Sequence, residues 1–209
     1  MKINEMHSAI QGEGLTVGLP VYFVRLSGCN TQCDFCDTKY HKYGVKLDNK
    51  FIASQILDSK LEDIVFTGGE PMLQIKDVYD IIQTLPKHTF HLETNGSIYN
   101  KKADDFKFIA CSPKKQQVEK GKLDSYKQFA NLHQTIFKFV YENKESDLWI
   151  KKFMKDINIH EDRIWIMPEG KSRDLQIARM PEVMQYCLKN KFHFSPRLHI
   201  LAYNEKRGV

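Results

Sequence analysis

Short runs rich in β-branched and aromatic residues recur along the chain at 21–26, 64–67, 90–94, 106–111, 135–141 and 163–167, with a last one at 198–202. These read as strands, and helical periodicity lies between several of them. Ile75, Val78, Tyr79, Ile82 and Leu85 share one face of a helix, and Leu148, Trp149, Phe153, Met154 and Ile157 keep a similar stripe. A third stripe, Leu175, Ala178, Met184, Cys187 and Leu188, is longer and less regular. Alternation of this kind predicts parallel βα units, hence an α/β barrel or part of one. Eight full units normally take about 250 residues, so 209 residues suit a partial, incomplete TIM-type βα barrel. No repeat, low-complexity tract or Pro/Gly/Ser linker divides the chain, and a single domain over 1–209 is expected.

In such a fold the ligand-binding groups gather at the carboxyl ends of the strands, where the βα loops begin. Cys29 follows the first of these runs, Thr67-Gly68-Gly69-Glu70-Pro71 the second and Glu93-Thr94-Asn95-Gly96 the third. Ser112-Pro113-Lys114 follows the fourth and Met167-Pro168-Glu169-Gly170 the sixth. Each taken singly is an ordinary turn composition, but five polar loops at equivalent positions point to one site.

Composition narrows the class without naming it. An apolar fraction of 42% and a charged fraction of 27% belong to a chain that buries a core, which excludes disorder and collagen-like repeats. The apolar runs fall short of the ~18 residues a membrane span needs, and residues 1–5 turn polar at once, so a cytoplasmic protein without a membrane partner is expected. A net charge of +5 favours anionic ligands in general and does not by itself argue for nucleic acid.

Three of the five cysteines, Cys29, Cys33 and Cys36, fall within eight residues. Disulfide frameworks are not spaced this way, and soft thiolates on one loop suit a metal. Structural zinc is normally closed by four ligands and would need a recruit such as His41. Three thiolates on a four-iron cluster leave one iron open to another ligand, which is the arrangement chemistry requires.

Cys-x3-Cys-x2-Cys in this setting resembles the signature of the radical S-adenosylmethionine (SAM) superfamily, and the Gly68-Gly69-Glu70 loop is similar to that superfamily's loop facing the SAM amino group. The resemblance implies a 4Fe-4S cluster whose open iron chelates SAM and whose electron cleaves it to a 5′-deoxyadenosyl radical. The finer resemblance is to the 7-carboxy-7-deazaguanine synthases. It rests on Ser8-Ala9-Ile10-Gln11-Gly12-Glu13-Gly14, Arg25-Leu26-Ser27-Gly28-Cys29 and Cys33-Asp34-Phe35-Cys36-Asp37-Thr38, then on the Gly-Gly-Glu loop, Glu93-Thr94-Asn95-Gly96 and Ser112-Pro113-Lys114, and finally on Pro168-Glu169-Gly170, Ser172-Arg173-Asp174, Leu198-His199 and Arg207-Gly208-Val209.

That resemblance implies conversion of 6-carboxy-5,6,7,8-tetrahydropterin to 7-carboxy-7-deazaguanine with loss of ammonia, a step toward 7-deazapurines such as queuosine. It implies that Cys29, Cys33 and Cys36 hold the cluster, and that Phe35, Cys36, Asp37, Gly69, Glu70, Ser112, Pro113 and Lys114 bind SAM. Ile10, Gln11, Gly12, Arg25, Thr67, Glu169 and His199 would hold the substrate, and Thr38 a Mg2+ that also binds the substrate carboxylate. A guanidinium at Arg25 suits carboxylate recognition, and Mg2+ commonly keeps few protein ligands. An external electron donor such as flavodoxin or ferredoxin and a homodimer are implied in the same way.

Two other readings stay open on the sequence. Activases of glycyl-radical enzymes share the cysteines and an early Gln-Gly-Glu-Gly, and would act on a protein backbone without need of Thr38. A zinc-stabilised nucleic-acid-binding module would use the cysteines with His41, but the lysines are spread along the chain rather than gathered in a stripe. Cys111 and Cys187, set in a strand and on a helix stripe, read as buried structural thiols, and Ser172 as a helix cap.

Overall fold

The computed structural model describes residues 1–31, 42–206 and 208–209. Its framework is a single sheet of nine strands: β1 (Lys2–Ile10), β2 (Pro20–Leu26), β3 (Val45–Lys46), β4 (Asp63–Gly68), β5 (Thr89–Thr94), β6 (Phe108–Cys111), β7 (Thr135–Tyr141), β8 (Ile164–Pro168) and β9 (His193–Phe194). The order across the sheet is β3-β1-β2-β4-β5-β6-β7-β8-β9. From β2 to β9 every neighbour is parallel, while β1 runs antiparallel to β2 and β3. No pairing closes β3 onto β9 among the described residues, which makes the architecture an incomplete βα barrel.

Among the described residues seven α-helices accompany it: α1 (Asn49–Ser59), α2 (Ile75–Thr84), α3 (Lys115–Glu119), α4 (Leu123–Ala130), α5 (Lys144–Ile157), α6 (Arg173–Asn190) and α7 (Leu198–Tyr203). Their starts are chemically marked. Asp48 accepts from the Lys50 amide, Asn143 from those of Glu145 and Ser146, and Ser172 from that of Leu175, satisfying donors that a first turn leaves unpaired. None of these helices is long and apolar enough to cross a membrane.

The period of two along each strand divides its side chains between two environments. Tyr22, Val24 and Leu26, Ile64 and Phe66, Phe90 and Leu92, and Phe137, Phe139 and Tyr141 enter the large core beneath the helices. There Phe153 of α5 packs at 5.8 Å from Phe137 and 5.5 Å from Phe139, each ring contributing about 1.5–3 kcal/mol by burial. The alternate residues face the opposite side of the sheet. Val21, Phe23 and Val65 form a small second apolar cluster there, and beyond it, toward the carboxyl ends, the same rows turn polar at Arg25, Thr67, Glu93 and Lys138.

Five expectations need correction. Residues 198–202 lie in helix α7 rather than a strand; five apolar residues are too few for periodicity to decide, and Leu and Ala are good helix formers. Strands β1, β3 and β9 were not anticipated: β1 alternates poorly because most of it is only half-buried, and the other two are two-residue pieces. On α5 the buried face is Ile150, Phe153 and Ile157, leaving Leu148 exposed. On α6 it is Gln176, Val183 and Cys187, leaving Leu175, Met184 and Leu188 exposed. Tyr79 on α2 is likewise outside the buried stripe, its ring under the Lys102 ammonium at 4.1 Å.

Candidate active site

The parallel strands end at one edge, and a cavity of about 620 Å³ opens there, within the size range of small-molecule and cofactor sites. It brings together eleven of the residues singled out from the sequence. Ile10, Gln11 and Gly12 come from the end of β1, Arg25 and Cys29 from β2 and its loop, Thr67 and Gly69 from β4 and its loop. Ser112 and Lys114 follow β6, Glu169 follows β8, and His199 is on α7. Glu70 and Pro113 are not on the wall. Cys33, Phe35, Cys36, Asp37, Thr38 and His41 lie outside the described residues.

The turn after β4 is built for close backbone approach. Gly68 adopts φ +122°, a conformation that favours glycine. A Cβ on Gly69 would overlap the Gly28 carbonyl. The Gly69 amide donates to Leu26 O at 3.0 Å and the Glu70 amide to Gly28 O at 2.8 Å, so the Gly-Gly turn is laced to the segment that carries Cys29. Cys29 is half-buried on the cavity wall. A soft ligand at a strand end beside bare glycine backbone fits a cluster with a small ligand bound to it. Among the described residues no group of three His, Cys, Asp or Glu is placed to hold a metal ion, so any such set draws on residues 32–41.

Glu70 has a different place from the one its motif suggested. Its carboxylate is fully buried, accepting from the Met72 amide at 2.9 Å, the Thr94 hydroxyl at 2.7 Å and the Asn95 amide at 2.7 Å. Burial pushes its carboxyl up from the ordinary value despite these donors. It ties the β4 turn to the β5 turn instead of facing the cavity.

Charged cavity residues include four to which the sequence assigned no individual role, although two of them, Glu13 and Glu93, lie in its motifs. Glu13 Oε2 lies 2.6 Å from Lys138 Nζ, and Glu13 Oε1 lies 2.9 Å from Arg197 Nε and 3.9 Å from His199 Nε2. Burial alone would raise the Glu13 carboxyl, but the charges of Lys138, Arg197 and His199 outweigh it and hold it well below 4.5. Burial works against the Lys138 ammonium, yet Glu13 and Glu93 hold its pKa above the ordinary value. Arg197 also donates to Gly170 O at 3.1 Å, joining the loops after β1 and β8 to α7. Glu93, the fourth, accepts from Thr67 Oγ1 at 2.7 Å and from Gln11 Nε2 at 3.1 Å. The signal that could have found Lys138 is its position: a lysine amid Ile136, Phe137, Phe139 and Val140 must either be paired inside or end the strand.

Two further lining residues are held by ion pairs. Arg25 Nε lies 2.7 Å from Glu5 Oε1, and Glu169 pairs with Arg179 at 3.3 Å. Gly12 lies against the His199 ring, and its carbonyl accepts from the Leu198 amide at 2.9 Å. Backbone of Gln11–Gly12 and the His199 side chain are thereby held as one wall.

A family model described as a 4Fe-4S single cluster domain matches residues 10–119. The 7-carboxy-7-deazaguanine synthase of Hyperthermus butylicus is 30% identical over 97% of this chain and 92% of its own length. That of Aquifex aeolicus is 31% identical over 90% of this chain and 82% of its own. The chain belongs to the 7-carboxy-7-deazaguanine synthase family. Another member, from Pyrobaculum aerophilum, is 29% identical over 100% of this chain. The crystal structure of QueE from Escherichia coli superposes with a TM-score of 0.71 over 95% of this chain at 19% identity, a likeness of fold. Family membership accounts for the clustering of strand-end motifs around one cavity and leaves the glycyl-radical activase and the zinc module without support.

Proposed function

We propose that the chain is a single-domain radical SAM enzyme that converts 6-carboxy-5,6,7,8-tetrahydropterin to 7-carboxy-7-deazaguanine with release of ammonia. The observation that carries this reading is the convergence, at one cavity, of Cys29, the Gly68-Gly69 turn and a polar wall of Gln11, Arg25, Thr67 and His199, in a chain whose full-length relatives bear that name. Cys29, Cys33 and Cys36 hold the 4Fe-4S cluster. Gly69 and Ser112-Pro113-Lys114, with Phe35, Cys36 and Asp37, hold SAM, and Glu70 serves the same site by fixing the turns around it. When bound there, the cluster and SAM would supply a radical able to abstract hydrogen from the carbon bearing the substrate carboxylate.

The residues of this chain do the orienting. The backbone of Ile10, Gln11 and Gly12 holds the hydrogen-bonding edge of the pterin. Arg25 offers a guanidinium to the substrate carboxylate, with Glu5 fixing its direction through a 2.7 Å contact. Thr67, Glu169 and His199 complete the pocket. Thr38 would hold a Mg2+, whose charge would offset that of the substrate carboxylate. A small one-electron donor of the flavodoxin or ferredoxin type, a homodimeric assembly and a cytoplasmic setting complete the reading.

Anaerobic reconstitution followed by incubation with SAM, dithionite and carboxytetrahydropterin tests it. The pterin should be consumed and ammonia released, and Arg25→Ala should raise the substrate KM or lower turnover while leaving substrate-independent SAM cleavage nearly intact. Persistence of the pterin with a fully loaded cluster would overturn the substrate assignment.

A further inference from the structure

Asn95 stands in the turn after β5, 7% exposed, among buried polar side chains: Thr31 at 6%, Ser97 at 2% and Gln117 at 4%. Burying that many polar groups costs free energy unless each is bonded, so the cluster of amides and hydroxyls marks a place where geometry is held at some expense. Its target is the segment that begins at Cys29. Asn95 Nδ2 donates to Asn30 Oδ1 at 2.9 Å and approaches Thr31 Oγ1 at 3.5 Å and Cys29 Sγ at 4.0 Å. Gln117 Nε2 donates to Thr31 Oγ1 at 2.8 Å and to Asn30 O at 3.3 Å, and Asn30 Nδ2 to Ser97 Oγ at 2.8 Å.

The orientation of the Asn95 amide is fixed by chemistry. Its Oδ1 accepts from the Ser97 backbone N–H at 2.9 Å, as well as from the Ser97 hydroxyl at 2.6 Å. A backbone N–H can only donate, so the oxygen must lie on that side and the NH2 must face Cys29. Asn95 is itself anchored, its own amide donating to Glu70 Oε2 at 2.7 Å.

We infer that Asn95 is a positioning residue for the iron–sulfur cluster, holding Cys29 in place and directing an N–H at its sulfur so that the cluster is easier to reduce. The inference rests on the assignment of Cys29 as a cluster ligand. An N–H dipole aimed at a ligand sulfur stabilises the more negative, reduced cluster, and hydrogen bonds to the sulfurs are among the determinants of potential.

Redox titration of the reconstituted protein, followed by electron paramagnetic resonance, tests this in wild type, Asn95→Ala, Asn95→Asp and Gln117→Leu. Asn95→Asp keeps the acceptor for Ser97 and the size of the side chain, so the turn is retained even if Asn95→Ala fails to fold; circular dichroism of the apo-protein checks this. Both Asn95 variants should move the midpoint to more negative potential, and Gln117→Leu, which loosens the segment without touching the sulfur, should move it less. A natively folded Asn95→Asp that takes up no iron also supports the inference, since Cys29 is then no longer held for the metal. Full loading with an unchanged midpoint, or an equal shift in Gln117→Leu, overturns it. Failure of the ligand assignment reads differently: wild type would take up no iron, or Cys29→Ala would keep all of it.

Discussion

Lys138 and Glu13, 125 residues apart in sequence, meet in the cavity wall with Nζ 2.6 Å from Oε2, both side chains nearly excluded from solvent at 7% and 14% exposure. The contact joins the centre of β7 to the loop leaving β1, and Arg197 shares the same carboxylate. The two ends of the pair are therefore unequal. Lys138→Met leaves Glu13 still bonded to Arg197 and should cost about 1.5–3 kcal/mol, the worth of one charged hydrogen bond. Glu13→Gln leaves two buried cations facing one another and should cost about 3–5 kcal/mol. Urea unfolding of the two variants should rank them in that order; equal losses would show that Arg197 does not share the charge.

Acid stability should separate Glu13 from Glu70. The folded carboxyl of Glu13 lies well below 4.5, so between that folded value and 4.5 the unfolded chain binds the extra proton and stability rises with pH. This contribution is complete above 4.5 and is lost as pH falls through the folded value. Glu70 has the opposite sign: its folded carboxyl lies above 4.5, so the native state binds the extra proton there and stability falls as pH rises through that window. Unfolding curves across acid pH should show Glu13→Gln flattening the limb below 4.5 and Glu70→Gln removing the decline above it.

Two glycines should fail in different ways when given a methyl group. At Gly69 the new Cβ overlaps the Gly28 carbonyl, backbone that cannot swing aside, so Gly69→Ala should cost about 1–3 kcal/mol and reduce iron uptake. At Gly12 the Cβ meets the ring of His199, a side chain able to turn away, with the His199 backbone nitrogen at 3.2 Å. Gly12→Ala should be milder in thermal unfolding but raise the KM for the pterin. A Gly12→Ala enzyme with unchanged KM would exclude this wall from the substrate site.

The five cysteines should divide cleanly. Replacing Cys29, Cys33 or Cys36 by Ala should abolish SAM cleavage and lower the iron content. Cys111 and Cys187 are buried, with burial raising the first thiol well above its ordinary value and the second to about 12, so neither is a ready thiolate. Their Ser variants should retain the iron content of the wild type, measured after anaerobic reconstitution.

Mg2+ dependence tests Thr38. Turnover of carboxytetrahydropterin should rise with added Mg2+ and fall with chelator, and Thr38→Ala should weaken that response more than it weakens SAM binding. Indifference of turnover to both would remove the metal from the site.

Local sequence was enough to determine the repeating architecture and where chemistry gathers. Hydrophobic period and turn composition are local properties, and parallel strands of similar length inevitably end at one edge, so Cys29, Thr67, Ser112 and Glu169 could be placed on one rim from their positions after apolar runs. The cysteine spacing likewise pointed to a metal-binding loop, and the described residues place its first member, Cys29, on the cavity wall. What the chain could not disclose locally is which side chains meet across the sheet. Glu13, Lys138 and Arg197 come from three distant segments, and their pairing depends on strand order and register. The Gly-Gly-Glu motif marked the right turn but not the direction of its carboxylate, which burial and the donors of Thr94 and Asn95 draw inward. Helical register at α5 and α6, and helix rather than strand at α7, were decided the same way. A short apolar run or a broad stripe satisfies more than one local geometry, and only packing against a particular neighbour selects between them.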